Sequence, residues 1–181
     1  AGHVVAEQGD GTRVADHLLE VDDLTLDLVI EGERRRVLHG VSFTVGVGET
    51  LGLVGESGSG KSMTARAVDR LLPAGAQAGG SVKFEGRDVL ALRGANLREY
   101  RNDVAMIFQD PRAHVNPVRS IGDFITEVLR GTDGMKRSEA DKLAIRMLGM
   151  VGISQPEQRL RQYPHEMSGG MLQRIMIASA L

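Results

Sequence analysis

The feature of this sequence that most constrains its fold is a glycine-rich octapeptide, GESGSGKS, at Gly55–Ser62. It follows the short apolar run Thr50–Val54, which is typical of a buried parallel strand, and it precedes the predicted helix Ser62–Leu72. Glycines let the backbone curl so that several N–H groups point inward, and the following helix places about half a positive charge at its N-terminus. Strand, loop and helix in this order predict a cradle for phosphate groups.

The residue types in this cradle predict a nucleoside triphosphate, preferentially ATP with Mg²⁺. Lys61 is placed to reach the β- and γ-phosphates, and the Ser62 hydroxyl is placed to ligate Mg²⁺. The expected nucleotide contacts are Gly55, Glu56, Ser57, Gly58, Ser59, Gly60, Lys61, Ser62 and Met63. The motif alone does not distinguish kinases, GTPases, helicases and transporters.

Composition excludes several classes of function. The 181 residues are 41% apolar and 25% charged, which is typical of a globular domain with a core. The net charge of −2 gives no overall attraction to nucleic acid, so no nucleic-acid partner is expected. The sequence has no cysteine, which removes disulfides and thiolate metal sites, and no apolar run approaches the length of a membrane span.

Hydrophobic periodicity predicts an α/β chain with an antiparallel β part and a helical part. Residues 1–17 are polar and aperiodic, so we interpret them as a flexible leader. The predicted strands are 24–28, 41–45, 50–54, 81–86 and 104–108, with a turn at 31–33. The predicted later helices are 121–129, 140–151 and 171–181, with a loop between Pro111 and Pro117 and a capping box, Ser138-x-x-Asp141, opening the second helix.

A second phosphate cradle is predicted at Ser168-Gly169-Gly170, just before the last apolar helix. Ser168 can cap this helix, and the two glycines expose backbone N–H groups at its positive end. A single nucleotide bound at the glycine-rich loop Gly55–Ser62, the P-loop, does not need a second cradle about 110 residues away. Two subunits arranged head to tail would use both, because the second cradle of one subunit would close on the γ-phosphate held by the other.

Taken together, GESGSGKS, the glutamine-ended strand MIFQDP and the SGG tripeptide resemble the ATPase subunit of an ABC transporter. The resemblance runs from about Leu18 to the last residue. It implies that Gln109 contacts Mg²⁺ and the attacking water, so that Lys61 and Gln109 serve catalysis and Ser62 and Gln109 hold the metal. It also implies that Ser168, Gly169, Gly170 and Met171 contact the nucleotide of the partner subunit.

Longer stretches narrow the resemblance to ATPases of dipeptide, oligopeptide and nickel importers, with peptides favoured. The implied partners are a second ATPase subunit, identical or paralogous, membrane permeases, and indirectly an extracytoplasmic solute-binding protein. The implied location is peripheral, on the cytoplasmic face of the cell membrane. The expected division is 18–111 for the β part and P-loop core, 112–166 for the helical subdomain, and 167–181 for the signature motif and helix.

The sequence also departs from this family. The stretch Leu28–Val37 lacks the aromatic residue that usually stacks on adenine, so Leu28 or Val37 is expected to make an apolar contact instead. In the family, Gln109 corresponds to a segment called the Q-loop, and here Arg112–Val115 replaces the residues that usually follow it. We interpret His114 in this stretch as a surface residue and not a metal ligand. The sequence ends before the family's Walker B strand. We therefore expect an incomplete sheet, a fragment of a longer protein, and no ATP turnover by this chain alone.

Three other features have simpler interpretations than catalysis. His165 and Glu166 are expected on the surface of the helical subdomain, Asp110 is expected to cap the turn before Pro111, and Glu33–Arg36 is expected to be a solvated hairpin face. Two alternatives remain open for the whole chain. One is a nucleotide-binding fragment or degenerate subunit without turnover, and the other is a soluble ABC ATPase outside transport.

Overall fold

The computed structural model describes residues 5–7, 17–131 and 134–181, and for residues 5–7 it describes the backbone only. The chain separates into two compact units, Ala1–Met106 and Ile107–Leu181. Among the described residues, no helix is both long enough and apolar enough to cross a bilayer. Each unit has a hydrophobic core of its own.

The first unit contains a four-stranded antiparallel sheet in the order β3-β2-β5-β6. Its strands are β2 (His17–Ile30), β3 (Glu33–Gly46), β5 (Gln77–Phe84) and β6 (Arg87–Asp88). Two tight turns, Glu31-Gly32 and Glu85-Gly86, join the hairpins, and both residues of each turn have positive φ, as type I′ turns require. Alternate side chains such as Leu24, Leu26 and Phe43 are buried, which confirms the predicted strands at 24–28, 41–45 and 81–86.

A bulge interrupts β2 at Asp22 and Asp23, where the register with both neighbouring strands shifts. Asp23 has a φ of 45°, and its backbone N–H donates to the Ser42 hydroxyl at 2.9 Å. Gly80 in β5 lies against the bulge with a φ of 83°, and a Cβ atom there would lie 2.2 Å from the Asp23 carbonyl oxygen. The sheet can therefore pack at this point only with glycine at position 80.

Helices α1 (Lys61–Val68) and α2 (Gly94–Asp103) belong to the same unit. Tyr100 of α2 is 1% exposed, meets Phe84 edge to face with ring centroids 5.5 Å apart, and donates its hydroxyl to the Val68 carbonyl oxygen at 2.7 Å. Burial, with a smaller contribution from the nearby Asp69 carboxylate, raises the pKa of Tyr100 to about 12. Tyr100 therefore stays protonated and ties α2 to the end of α1.

Helix α1 ends four residues before the predicted limit at Leu72. Asp69 is its C-cap, and Arg70 takes a left-handed φ of 57°. The N–H groups of Arg70 and Leu71 donate back to Ala67 and Arg66 at 3.2 and 2.8 Å, which is the pattern of a Schellman motif. The prediction was wrong here because the motif uses arginine at the position that glycine usually occupies.

The two predicted buried core strands, 50–54 and 104–108, do not form as a pair. Only Gly52–Val54 is a strand, β4, and it pairs antiparallel with β1 (Val5–Glu7). The predicted strand 104–108 belongs to no sheet in the described part of the chain, and Val54 and Ile107 are 48% and 42% exposed. A parallel strand needs neighbours that supply its backbone partners, and the described residues offer β4 only β1.

Strand β1 lies within residues 1–17, which the sequence predicts to be a flexible leader, and gives part of that segment a strand. Val5 pairs with Val54, Ala6 with Leu53 and Glu7 with Gly52. The leader segments 1–4 and 8–16 lie outside the described residues. His17, the last residue of the predicted leader, already belongs to β2.

The second unit is helical. Its helices are α3 (Pro111–His114), α4 (Ile121–Gly131), α5 (Arg137–Met150), α6 (Pro156–Arg159), the 3₁₀ helix Pro164–Glu166 and α7 (Gly169–Ser179). The predicted helices near 121–129, 140–151 and 171–181 are confirmed. Helices α4, α5 and α7 share one core, whose fully buried members include Ile121, Ala144, Leu148, Leu172, Ile175 and Ala178.

Two local predictions in this unit were wrong. Helix α5 begins at Arg137 with Lys136 as its N-cap and without a side-chain cap, so Ser138 and Asp141 lie inside the helix. Arg137, one turn earlier, pairs with Asp141 at 3.9 Å and satisfies the carboxylate instead. The predicted loop between Pro111 and Pro117 contains the short helix α3, because proline at the first helical position and a capping Asp110 favour helix initiation.

We expect Gly80→Ala to lower the free energy of unfolding by about 3 kcal/mol, because it adds an overlap with backbone oxygens to the cost of positive φ. Gly86→Ala is the matched control. It also has positive φ (73°), but no atom lies within 4 Å of its Cβ position, so about 1 kcal/mol is expected. Urea denaturation followed by circular dichroism measures both values, and equal losses would contradict the assignment of the bulge contact.

We expect Tyr100→Phe to lower the free energy of unfolding by about 1 kcal/mol, because the Val68 carbonyl oxygen loses its buried donor. Tyr163→Phe is the control, since Tyr163 is 42% exposed. It should leave stability unchanged. A Tyr100→Phe variant as stable as the parent chain in thermal denaturation would show that the hydroxyl does not tie the two helices together.

Candidate functional site

The glycine-rich loop Gly55–Ser62 connects β4 to α1, as its sequence context predicts. Gly60 is the N-cap of α1 and has a φ of 103°. A Cβ atom at Gly60 would lie 2.5 Å from Leu38 Cδ2 and 3.3 Å from the Val37 carbonyl oxygen. The loop therefore needs glycine at position 60 both for its backbone conformation and for its close approach to β3.

Lys61 holds the loop together from inside. Its ammonium group donates to the carbonyl oxygens of Gly55 and Glu56 at 2.8 and 2.7 Å, and it lies 3.3 Å from the Ser59 hydroxyl. Ser59 is 8% exposed, and its N–H donates to the Glu56 carbonyl oxygen at 3.1 Å. The result is a compact loop around one positive charge at a helix N-terminus, which suits the binding of an anion.

Thr64 is a supporting residue that the sequence reasoning missed. It is fully buried, and both its N–H and its hydroxyl donate to the Gly60 carbonyl oxygen, at 2.8 and 3.1 Å. These two bonds fix the first turn of α1 under the loop. The sequence does contain a signal for this supporting role, a threonine four residues after the last loop glycine. Threonine hydroxyls in helices often donate to the carbonyl oxygen one turn earlier.

A cavity of about 220 Å³ opens at the loop. It is lined by Val37, Gly58, Gly60, Lys61, Ser62 and Met63. Ser62 is exposed, and its hydroxyl has no hydrogen bond within the described residues, so it is free to act as an oxygen ligand for a hard cation. Glu56, Ser57 and Gly58 are also exposed.

Of the two residues proposed to replace the adenine-stacking aromatic, Val37 lines this cavity. Both residues pack against the core of the sheet, and Leu28 is not part of the cavity lining. An apolar contact between Val37 and a nucleobase remains a prediction.

A larger concavity, about 510 Å³, lies on the polar face of the sheet. It is lined by Glu20, Val21, Asp22, Ser42, Phe43, Thr44, Ser81 and Lys83. It contains no helix N-terminus and no glycine loop, so it lacks the convergent N–H groups that phosphate binding needs. The larger of the two cavities is therefore not the candidate phosphate site. The cavity at the glycine-rich loop is the candidate, because it has the hydrogen-bond donors that a phosphate needs.

Helix α7 begins at the second predicted cradle, Ser168-Gly169-Gly170. Ser168 is the N-cap, and its hydroxyl accepts from the Met171 N–H at 3.2 Å, which confirms the predicted cap. Gly169 and Gly170 are exposed, and nothing lies within 4 Å of either Cβ position. Because the first N–H groups of a helix have no acceptor within it, these two glycines present donors to solvent at a positive helix end.

The predicted Q-loop residue, Gln109, lies in the second unit, in the bend before α3. Its side chain is exposed and makes no hydrogen bond to any described residue. Asp110 accepts from the Arg112 N–H at 3.0 Å, which confirms its predicted capping role. In the described chain no three His, Asp or Glu side chains are grouped closely enough to hold a metal ion, so His114 belongs to no such group.

His165 and Glu166 lie on the surface of the second unit, as predicted. Glu166 accepts from the Tyr163 N–H at 2.7 Å, and His165 stacks on the Tyr163 ring with centroids 5.8 Å apart. The predicted hairpin face is also exposed. There Arg36 bonds to Asp27 at 2.8 Å and lowers the pKa of that carboxyl group.

The chain is similar to curated proteins of peptide transport. It is 49% identical over 170 residues to a probable peptide ABC transporter ATP-binding protein, y4tR, of Sinorhizobium fredii, covering 92% of this chain and 51% of that protein. It is 44% identical over 167 residues to the oligopeptide transport ATP-binding protein OppD of Bacillus subtilis, covering 91% of this chain and 47% of that protein. The chain thus spans about half the length of the curated relatives it matches.

Solved structures share its fold at lower identity. A dimeric, post-hydrolysis structure of the ATP-binding cassette MJ0796, bound to ADP and Pi, matches with a TM-score of 0.70 and 22% identity, over 90% of this chain and 68% of that one. CbiO1 from Clostridium perfringens matches with a TM-score of 0.67 and 20% identity, over 92% of this chain and 61% of that one. These matches establish an ABC ATPase fold of the α/β P-loop class.

The family match covers both predicted cradles. Residues 38–181 match the family described as ABC transporter, a range that includes Gly55–Ser62, Gln109 and Ser168–Gly170. The glycine-rich loop and the SGG tripeptide therefore stand in the order and context that the sequence predicted. The chain belongs to the ABC transporter family.

Proposed function

We propose that this chain is the nucleotide-binding part of an ATPase subunit that energises the import of peptides. The observation that carries the proposal is the pair of phosphate cradles, one at the P-loop and one at the start of α7, each offering donors at a helix N-terminus. Peptides are proposed as the solute because the relatives described above are named for peptide and oligopeptide transport. No observation favours the nickel alternative.

In the proposed assembly two ATPase subunits face each other head to tail and enclose two ATP molecules. The P-loop of one chain holds the phosphates, and Ser168, Gly169, Gly170 and Met171 of the other chain close on the γ-phosphate. The openness of Gly169 and Gly170 supports this arrangement, because both residues are exposed and nothing lies within 4 Å of either Cβ position. The second subunit is either a copy of this chain or a paralogue.

Each residue of the P-loop has a definite task in this proposal. Lys61 exchanges loop carbonyl oxygens for β- and γ-phosphate oxygens and neutralises their charge, while the loop N–H groups orient the triphosphate. The Ser62 hydroxyl and the Gln109 amide oxygen are neutral, exposed oxygen ligands that fit Mg²⁺. Bound Mg²⁺ would supply charge neutralisation for the transferred phosphoryl group. Gln109 would also orient the attacking water.

The proposed partners beyond the second ATPase subunit are membrane permeases, which would place the protein peripherally on the cytoplasmic face of the membrane. An extracytoplasmic solute-binding protein would act on the same permeases from the other side. ATP binding would close the two ATPase subunits, and hydrolysis would separate them and move the permeases.

We expect Lys61→Ala to weaken ATP binding about 10- to 100-fold, since a hydrogen bond to a charged group contributes roughly 1.5–3 kcal/mol. Fluorescence titration with a mant-labelled ATP measures the dissociation constant. Lys83→Ala, which removes an exposed lysine from the sheet face, is the control and should bind normally. Equal affinities for all three proteins would refute the assignment of the P-loop as the phosphate site.

We expect Gly170→Asp to abolish ATP-driven association of two subunits while leaving mant-ATP binding at the P-loop intact. The introduced carboxylate would face the γ-phosphate of the partner and repel it. Gly149→Asp is the matched control, because Gly149 is also an exposed helical glycine with nothing within 4 Å of its Cβ position. Sedimentation velocity with and without ATP gives the readout, and ATP-driven association that survives in Gly170→Asp would contradict the head-to-tail arrangement.

A further inference from the structure

His114 makes two contacts that enclose the segment carrying Gln109. Its imidazole lies flat on the Phe108 ring, with ring centroids 3.9 Å apart and planes 7° from parallel. Its Nδ1 atom is 2.9 Å from the carbonyl oxygen of Asp110. Because a carbonyl oxygen only accepts, Nδ1 carries the proton and donates it.

The two contacts fall on the residues immediately before and after Gln109. Phe108 is fixed from the side by the stacked imidazole, and Asp110 is fixed through its carbonyl oxygen. Asp110 is fixed a second time by its own side chain, which caps α3 through the Arg112 N–H. The main chain of Gln109 is thus held at both ends, while its side chain remains exposed and without a hydrogen bond to the described residues.

We infer that His114 is a positioning residue for Gln109. It sets the direction in which the Gln109 amide leaves the backbone, and it does so without touching nucleotide or metal itself. This inference rests on the proposed role of Gln109 in holding Mg²⁺ and orienting water. The geometry matters because reacting groups must be held closely in place, and a displacement of about 1 Å can cost about 100-fold in rate.

The contacts give this exposed histidine two fixed partners within its own turn. One ring face is taken by Phe108 and one ring nitrogen by Asp110, so the imidazole is part of a closed turn and not a free surface group. An ordered turn keeps a side chain at its centre in fewer conformations than an open loop would. The role of His114 is therefore to pre-organise Gln109.

The first experiment tests the geometry on this chain directly. In proton NMR, the ring C–H signals of His114 are expected upfield of those of exposed His39, because they lie over the Phe108 ring. Phe108→Leu should move the His114 signals to the position of an unstacked histidine and leave the His39 signals unchanged. His114 signals that are not shifted in the parent chain would overturn the inference.

The second experiment tests the consequence in the full subunit assembled with its partners. His114→Ala is expected to lower kcat about tenfold, because Gln109 loses its fixed direction, while KM and mant-ATP affinity stay unchanged. His114→Phe keeps the stacked ring and should recover most of the lost rate. His39→Ala replaces an exposed histidine on β3 and should have the parent rate.

Gln109→Ala separates failure of this inference from failure of the proposed function. A loss of turnover in Gln109→Ala with parent turnover in His114→Ala would overturn the positioning role alone. Parent turnover in Gln109→Ala would overturn both the proposed role of Gln109 and the inference that depends on it. Equal loss in His114→Ala and His114→Phe, together with weaker mant-ATP binding, would show general disruption and would also overturn the positioning role.

Discussion

The close approach of Gly60 to Leu38 is the contact on which the position of the P-loop depends. Leu38 is 1% exposed in the core of the antiparallel sheet, and its Cδ2 atom occupies the space that a side chain at position 60 would need. The N-terminus of α1 therefore rests directly on β3. The position of the P-loop over β3 is set by a sheet whose register is fixed by type I′ turns and by shifts along β2. In this unit, the antiparallel strands act as the floor of the phosphate site.

The two predicted cradles, at the N-termini of α1 and α7, are built in the same way. In each, the helix N-terminus is held by buried residues in the first two turns, Thr64 and Ala67 in α1 and Leu172 and Ile175 in α7. Glycine keeps the backbone N–H groups accessible, and apolar burial keeps the helix from moving. In the proposed function, affinity for phosphate would come from groups that are already in place, which would limit the entropy cost of binding.

The sequence predicted several features that neighbouring residues determine, and it was wrong both where distant partners decide and where a helix end is built from unusual residues. Gly55–Ser62, the Ser168 cap and the Asp110 cap depend on residues a few positions apart, so their patterns were sufficient. Whether residues 104–108 form a strand depends on other strands lying beside them, and hydrophobic periodicity does not reveal whether such neighbours are present. The end of α1 was missed because Arg70 adopts a conformation typical of glycine. The contact between Leu38 and Gly60 joins positions 22 apart and leaves no local signal.

The three hydrogen bonds of Lys61 explain how the loop can be ready for a nucleotide before one binds. An ammonium group has three donors, and here all three are directed at atoms of the loop itself. Two of these partners are neutral carbonyl oxygens, whereas phosphate oxygens are charged and form hydrogen bonds about twice as strong. Replacement of the carbonyl oxygens by phosphate oxygens around the Lys61 ammonium group is therefore favourable, and it requires no refolding of the loop. In the proposed function, the Lys61 charge that shapes the P-loop would also bind the triphosphate, so a single side chain would supply both electrostatic pre-organisation and affinity.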